Sequence, residues 1–265
     1  IQSYSNHPIL LFTLQIPFVS RDKKREKSQS NPRERKEKME VIDKLVEADK
    51  EKAQAELRKL YSSGGSNDSE ILWRLASVLY FIASSFEKKD NKRKELILEG
   101  RELAQKAAEL SPSSLKSLRW AAILTGASTD YLATKEKIEQ GYLFKSLLDR
   151  ALALDATEYA LLHMRGRFAF SVADLSWIER KVASTLYATP PSATIEEALR
   201  DFLAANEMKP NWLENLFYIG KCYIALKETK SAISFLEEAS RLTANDTNEK
   251  IVILETKSLL KKHSS

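Results

Sequence analysis

The chain has 265 residues, 43% of them apolar, enough to bury a sizeable core as one domain or a single solenoid. Its formal net charge of +5 is concentrated in residues 21–40, where nine basic side chains face five acidic ones. The body beyond is nearly neutral, which excludes the profile of a dedicated nucleic-acid-binding domain. One cysteine, Cys222, excludes an internal disulfide and suits a reducing compartment, and three scattered histidines (His7, His163, His263) offer no metal-ligand cluster.

Residues 1–39 differ from the rest and read as a basic tail, disordered or foreign to the domain, ahead of a helical domain at 40–265. The first methionine is Met39, directly before the helical pattern. The apolar run from Pro8 to Val19 is interrupted by Pro17 and is too short to span a bilayer. Arg21, Lys23, Lys24 and Arg25 follow it, the reverse of the order in a cleaved signal peptide. As a functional segment it would be a weak membrane-surface anchor or a targeting signal.

With only seven glycines and seven prolines, and with Ala, Leu, Glu and Lys dominant, the remainder points to an all-α fold. Val41, Leu45, Ala48, Ala55, Leu57 and Leu60 predict one amphipathic helix over 40–61, ended by Ser62-Ser63-Gly64-Gly65-Ser66. Asp68 or Ser69 can cap the next helix, which carries Trp73, Ala76 and Tyr80; its partner carries Gly100, Ala104, Ala107 and Pro112. A second pair uses Leu118, Ala121 and Ala122, then Phe144, Leu148, Ala151 and Ala156. A third uses Leu162, Gly166 and Ala169 and reaches Ala198 after a long insertion. There Pro190-Pro191 must end a helix, and Thr194 with Glu197 forms a capping box for the next.

The pattern is cleanest from Ile195 to Ala244. Ala198, Phe202, Ala205 and Pro210 close one unit, and Leu216, Ile219, Gly220, Tyr223, Ala232, Leu236, Ala239 and Ala244 form the next. Their intervals of 3, 1, 3, 9, 4, 3 and 5 residues are those of the 34-residue tetratricopeptide repeat. Gly220, Ala232 and Ala239 let helix backbones approach closely, while Tyr223, Leu236 and Phe202 fill the holes. Asp246 and Glu249 repeat the capping signature, and Ile251, Leu254, Leu259 and Leu260 predict a terminal helix covering the apolar end. The expected architecture is therefore a tetratricopeptide-like helical-hairpin solenoid of three to four hairpins, with helical insertions and a C-terminal capping helix. Trp73, Tyr80, Trp120 and Tyr223 are expected in its core.

The third insertion is more specific. Trp177-Ile178-Glu179-Arg180-Lys181-Val182-Ala183, then Leu186-Tyr187-Ala188-Thr189-Pro190-Pro191-Ser192-Ala193-Thr194, resembles a stretch of the regulator of microtubule dynamics family. Ile71-Leu72-Trp73-Arg74-Leu75-Ala76, Lys135-Glu136-Lys137-Ile138 and His163-Met164-Arg165-Gly166 are similar to it as well, so the resemblance covers about Asp68 to Leu260. It implies a non-enzymatic, microtubule-associated protein of the cytoplasm and mitotic spindle, including spindle poles, that helps chromosome segregation, with tubulin as partner. Some relatives carry mitochondrial or membrane-anchoring segments and tether organelles or bind lipids. No segment here reads as a transmembrane span, which favours the spindle-associated type over a mitochondrial one and leaves membrane association open. Arg165 departs from the pattern, because its slot calls for an apolar residue; either the third repeat is irregular or Arg165 is a paired buried charge.

In such a solenoid the second, fifth and ninth slots of each first helix line the concave groove. Those slots hold Arg74, Lys116, Arg119, His163, Arg167 and Lys221, together with Ile71, Val78, Ala160, Ile123, Glu214 and Phe217. Five cations and a histidine against one glutamate would attract an extended acidic peptide, such as a tubulin C-terminal tail. The bland alternative is solvated charge paired with neighbouring helices. A second patch, Lys88, Lys89, Lys92, Arg93 and Lys94 with Asp90, reads as a solvated turn or a binding patch. A third sets Trp177 beside Arg180 and Lys181; that Trp either anchors a partner or packs inward with the cations outside. No phosphate-binding loop, dinucleotide fingerprint, zinc-protease or nucleophile-elbow motif occurs, so no catalytic site and no cofactor are expected. A lipid-binding or organelle-tethering module, and an adaptor for other acidic peptides, are the competing functions.

Overall fold

Two buried side chains, Leu236 and Phe202, each press against a glycine on the neighbouring helix. A Cβ on Gly220 would lie 2.6 Å from the Leu236 side chain, and one on Gly166 would lie 2.9 Å from the Phe202 ring. Leu236 and Phe202 are fully buried, so these contacts fix how closely the helices of two hairpins approach. The computed structural model describes residues 31–175, 180–181, 184–185, 192–245 and 247–263. Residues 1–30, most of the predicted tail, lie outside the described residues.

Among the described residues the regular structure is helical: α1 (Pro32–Ala48), α2 (Lys50–Ser62), α3 (Ser69–Ala83), α4 (Asn91–Leu110), α5 (Leu115–Ser128), α6 (Thr134–Leu154), α7 (Tyr159–Ala173), α8 (Ile195–Met208), α9 (Leu213–Ala225), α10 (Thr229–Ser240) and α11 (Thr247–His263). Short 3-10 turns follow α2 and α5. Four hairpins, α3/α4, α5/α6, α7/α8 and α9/α10, stack so that the second helix of each packs on the first helix of the next. First helices also touch across hairpins, α3 with α5 and α7 with α9, and α11 covers α9 and α10. The expected hairpins and the capping helix are present.

The N-terminal part differs from the single helix read over 40–61. Helix α1 begins at Pro32, with Asn31 accepting from the Arg33 amide at 3.1 Å, and the run breaks at Asp49. Asp49 leaves helical geometry and accepts from the Lys52 amide at 2.9 Å, capping α2. A short carboxylate that competes for backbone amides interrupts a periodicity that the apolar residues alone would have continued. Helix α1 then runs alongside α3, tied by Arg35 to Asp68 and by Asp43 to Arg74.

Helix α3 is covered on nearly every side, with Ile71 through Leu79 buried, as a helix enclosed by α2, α4 and α5 must be. Local capping agrees with the sequence. Asp68 caps α3, and Thr194 and Glu197 exchange both bonds of a capping box, at 3.1 and 2.9 Å. Asp246 lies outside the described residues; Glu249 instead accepts from the Asn245 amide at 2.7 Å. After α9 the chain closes a Schellman turn, Glu228 N to Tyr223 O and Lys227 N to Ile224 O, with Lys227 at φ 63° where glycine is favoured. The links between hairpins, 111–114, 155–158 and 209–212, are each four residues long. The connections inside hairpins at 84–90, 129–133 and 226–228 vary from three residues to seven, and 174–194, much of it outside the described residues, separates α7 from α8.

Candidate partner-binding face

The six predicted inner-face residues fall on α3, α5, α7 and α9, and the fold sorts them into three kinds. Arg74 and His163 are buried. Arg74 makes two bonds to Asp43, 2.6 and 2.9 Å, one to the Glu70 carboxylate at 2.6 Å and one to the Glu70 carbonyl at 3.0 Å, so it locks α1 onto α3 and is closed to a partner. His163 lies against the Trp212 ring, 4.2 Å between centroids, with Nδ1 2.9 Å from Asn215 Oδ1. Asn215 Nδ2 donates to the Phe202 carbonyl at 2.9 Å, so its Oδ1 must accept and His163 must carry its proton on Nδ1. Burial pushes the imidazole down to about 4, against the raising effect of the Asn215 bond and with a smaller push from Arg167. It is a neutral packing histidine at physiological pH.

Arg119 and Arg167 are accessible but paired. Arg119 donates to Glu158 Oε2 at 2.9 Å and Arg167 to Glu214 Oε1 at 2.8 Å. Glu158 also accepts from the Ala160 amide at 3.3 Å and so caps α7 while it holds Arg119.

Lys116 and Lys221 make no ion pair among the described residues; each ammonium sits over aromatic rings instead. Lys116 Nζ lies 5.1 Å from the Trp73 centroid. Lys221 Nζ lies 4.9, 5.5 and 5.3 Å from Phe170, Phe217 and Tyr218. A ring quadrupole holds a cation in place without neutralising it, which leaves the charge available to an incoming carboxylate. Lys209 is similar, 4.9 Å from Tyr159 and 5.2 Å from Trp212, and the slot arithmetic missed it because it sits in the turn after α8. The nearby Trp212 was its only sequence signal.

The four aromatics expected in the core divide. Trp73 is 6% exposed, whereas Tyr80, Trp120 and Tyr223 are only partly covered. Tyr80 and Trp120 cluster with exposed Phe81, at centroid distances of 5.4 to 6.0 Å. Of the two alternatives for Arg165, the structure shows a paired charge, half-buried rather than buried. It makes two bonds to Asp201, at 2.6 and 2.8 Å, and Asp201 is 3% exposed.

Residues 38–264 match the family described as regulator of microtubule dynamics protein 1-3. The chain belongs to this family. It is 40% identical over 220 residues to regulator of microtubule dynamics protein 1 of Caenorhabditis elegans, covering 83% of this chain and 96% of that one. To the Mus musculus protein of the same name it is 34% identical over 221 residues, covering 82% and 72%. A thermophilic tetratricopeptide-repeat protein of Thermus thermophilus superposes with a TM-score of 0.56 at 11% identity, over 84% of this chain and 98% of that one. The tetratricopeptide protein YrrB does so at 0.51 and 17%, over 83% and 90%. At such identities these two likenesses establish the fold alone, a tetratricopeptide-like solenoid.

The other two predicted patches of this family member serve the fold in several of their residues. Lys88 pairs with Asp130 at 2.8 Å, and its carbonyl accepts from Tyr131. Lys92 lies 3.8 Å from Glu95, and Arg93 donates to the Phe86 carbonyl at 2.8 Å, closing the turn into α4. Lys89 and Lys94 are exposed. Of the third patch, Trp177 lies outside the described residues. Arg180 donates to the Leu175 and Ala173 carbonyls at 3.0 and 2.6 Å, satisfying the end of α7, and Lys181 is exposed. A cleft of about 310 Å³ among α2, α3 and α4 is lined by Arg58, Glu99, Glu102 and Lys106 beside Tyr61, Leu75 and Leu103, a mixed charged and apolar lining. No helix among the described residues is long and apolar enough to cross a membrane.

Proposed function

We propose that this protein binds microtubules without catalysing a reaction, acts in spindle organisation and chromosome segregation in the cytoplasm and at spindle poles, and recognises the acidic C-terminal tails of tubulin on its inner face. Membership of a family named for regulating microtubule dynamics supports the microtubule link. The observation that carries the recognition is the pair Lys116 and Lys221, two cations on first helices, held over aromatic rings and paired with no carboxylate among the described residues. An extended chain of glutamates laid along that face meets both, and can exchange with Glu158 and Glu214 for Arg119 and Arg167. A solenoid presents such residues on successive hairpins at a fixed pitch, which suits a repetitive acidic ligand.

Co-sedimentation with microtubules, intact or with tails removed by protease, tests this reading. Binding should fall with salt and with tail removal, and Lys116→Glu with Lys221→Glu should weaken binding to intact microtubules. Equal binding by wild type and this double variant would overturn the inner-face assignment. Failure of the wild type to bind would overturn the microtubule reading itself.

A further inference from the structure

A helix that ends a solenoid should turn a polar face to water, because nothing stacks beyond it. Helix α11 does not. Its inner side is conventional: Val252 and Ile253 pack on the cluster of Leu213, Leu216 and Ala239, and Thr256 is buried with its hydroxyl on the Val252 carbonyl. Its outer side exposes Ile251 at 49% and Leu254 at 67%, the latter the most exposed large apolar side chain among the described residues. Lys250, Lys257 and Lys262 share that side. At 3.6 residues per turn the five fall within an arc of roughly 140°. The three lysines are exposed and make no ion pair among the described residues; Glu255 lies at the border of the arc and Glu249 outside it.

We infer that the outer face of α11 is a second docking surface, and that its occupant is an acidic protein surface with an apolar spot at its centre. Charge decides the occupant. A second copy docked two-fold on the same face would set lysines against lysines. A bilayer surface is held by helices with a broad apolar face, and two apolar side chains are a narrow one. A folded surface with carboxylates around an apolar contact satisfies the lysines and covers Ile251 and Leu254 together. This inference rests on the microtubule reading above and extends it: the inner face takes the flexible tails, and α11 takes the acidic wall that remains when the tails are gone.

The test uses the full chain and microtubules stripped of their tails. Three proteins are compared: the wild type, Lys250→Glu/Lys257→Glu/Lys262→Glu, and Ile251→Ser/Leu254→Ser. All five positions are exposed, so helicity and thermal midpoint should match the wild type. The charge variant should bind stripped microtubules about tenfold more weakly or worse, and the serine variant several-fold more weakly. Wild type that binds intact but not stripped microtubules overturns the α11 assignment and leaves the inner-face reading standing. So does a charge variant that binds stripped microtubules as well as the wild type. A wild type that sediments with neither overturns both. Tight wild-type binding to phosphatidylserine vesicles that the charge reversal abolishes, or a self-association that it abolishes, assigns the face to lipid or to a second copy and also overturns the proposal.

Discussion

His163 on α7 donates from Nδ1 to Asn215 Oδ1 on α9 at 2.9 Å, a buried polar contact that joins the first helices of the third and fourth hairpins. The bond itself favours the charged ring; burial opposes the charge and prevails. Burial holds the folded imidazole at about 4, below the 6.5 of an unfolded histidine. Above pH 6.5 both states are neutral and the group is indifferent to pH. As pH falls from there toward 4 the unfolded chain binds a proton that the folded chain does not, so stability declines, by roughly 3 kcal/mol in all. Thermal midpoints from pH 7.5 to 4 should show this fall, and His163→Gln should flatten it. An unchanged profile in the variant would place the titration elsewhere.

Arg165→Met leaves Asp201, 3% exposed, without both of its guanidinium hydrogen bonds, and only the exposed Arg200, 3.7 Å away, remains as a cation. Urea denaturation should show a loss of about 3 kcal/mol, with most of it restored when Asp201→Leu is added. A loss as large in the double variant would mean that packing, not charge, dominates the site.

Gly220→Ala forces a methyl to within 2.6 Å of Leu236, which is fully buried and has no room to turn aside. The expected cost is about 1–3 kcal/mol, and Leu236→Ala in the same chain should be less damaging than it is alone. Simple additivity of the two would contradict a shared clash.

Lys227 occupies the left-handed position of a Schellman turn, φ 63°, that a side chain adopts only with strain. Lys227→Gly relieves it and adds some freedom to the unfolded chain. The balance should be a gain of roughly 0.5–1 kcal/mol, seen as a higher thermal midpoint.

Much of the fold was legible because its signals are local. Gly220, Ala232, Leu236 and Ala239 name their own hairpin by spacing, and Thr194 with Glu197 names the start of α8. The break at Asp49 was hidden by apolar residues that keep helical period across it. The inner face was legible as a row of residues but not as a set of charges. Asp43, Glu158 and Glu214 lie 31, 39 and 47 residues from the arginines they hold, and only tertiary packing brings them together. Those pairings also make Arg119 and Arg167 poor probes of binding, since reversing either sets like charges face to face. Lys116 and Lys221 test the face without that complication.

The constant four-residue links between hairpins have a consequence for how the chain can change. They fix the pitch of the stack, whereas the connections inside hairpins lie at the opposite edge and vary in length, with Lys88 of the first bonded across to Asp130 and Tyr131 of the second. Length can therefore be gained or lost along that margin without altering the spine. A short flexible insertion in 84–90 that keeps Phe86, Lys88 and Asp90 in place should be tolerated, while even a two-residue insertion at 111–114 should throw every later hairpin out of phase with α3 and α4.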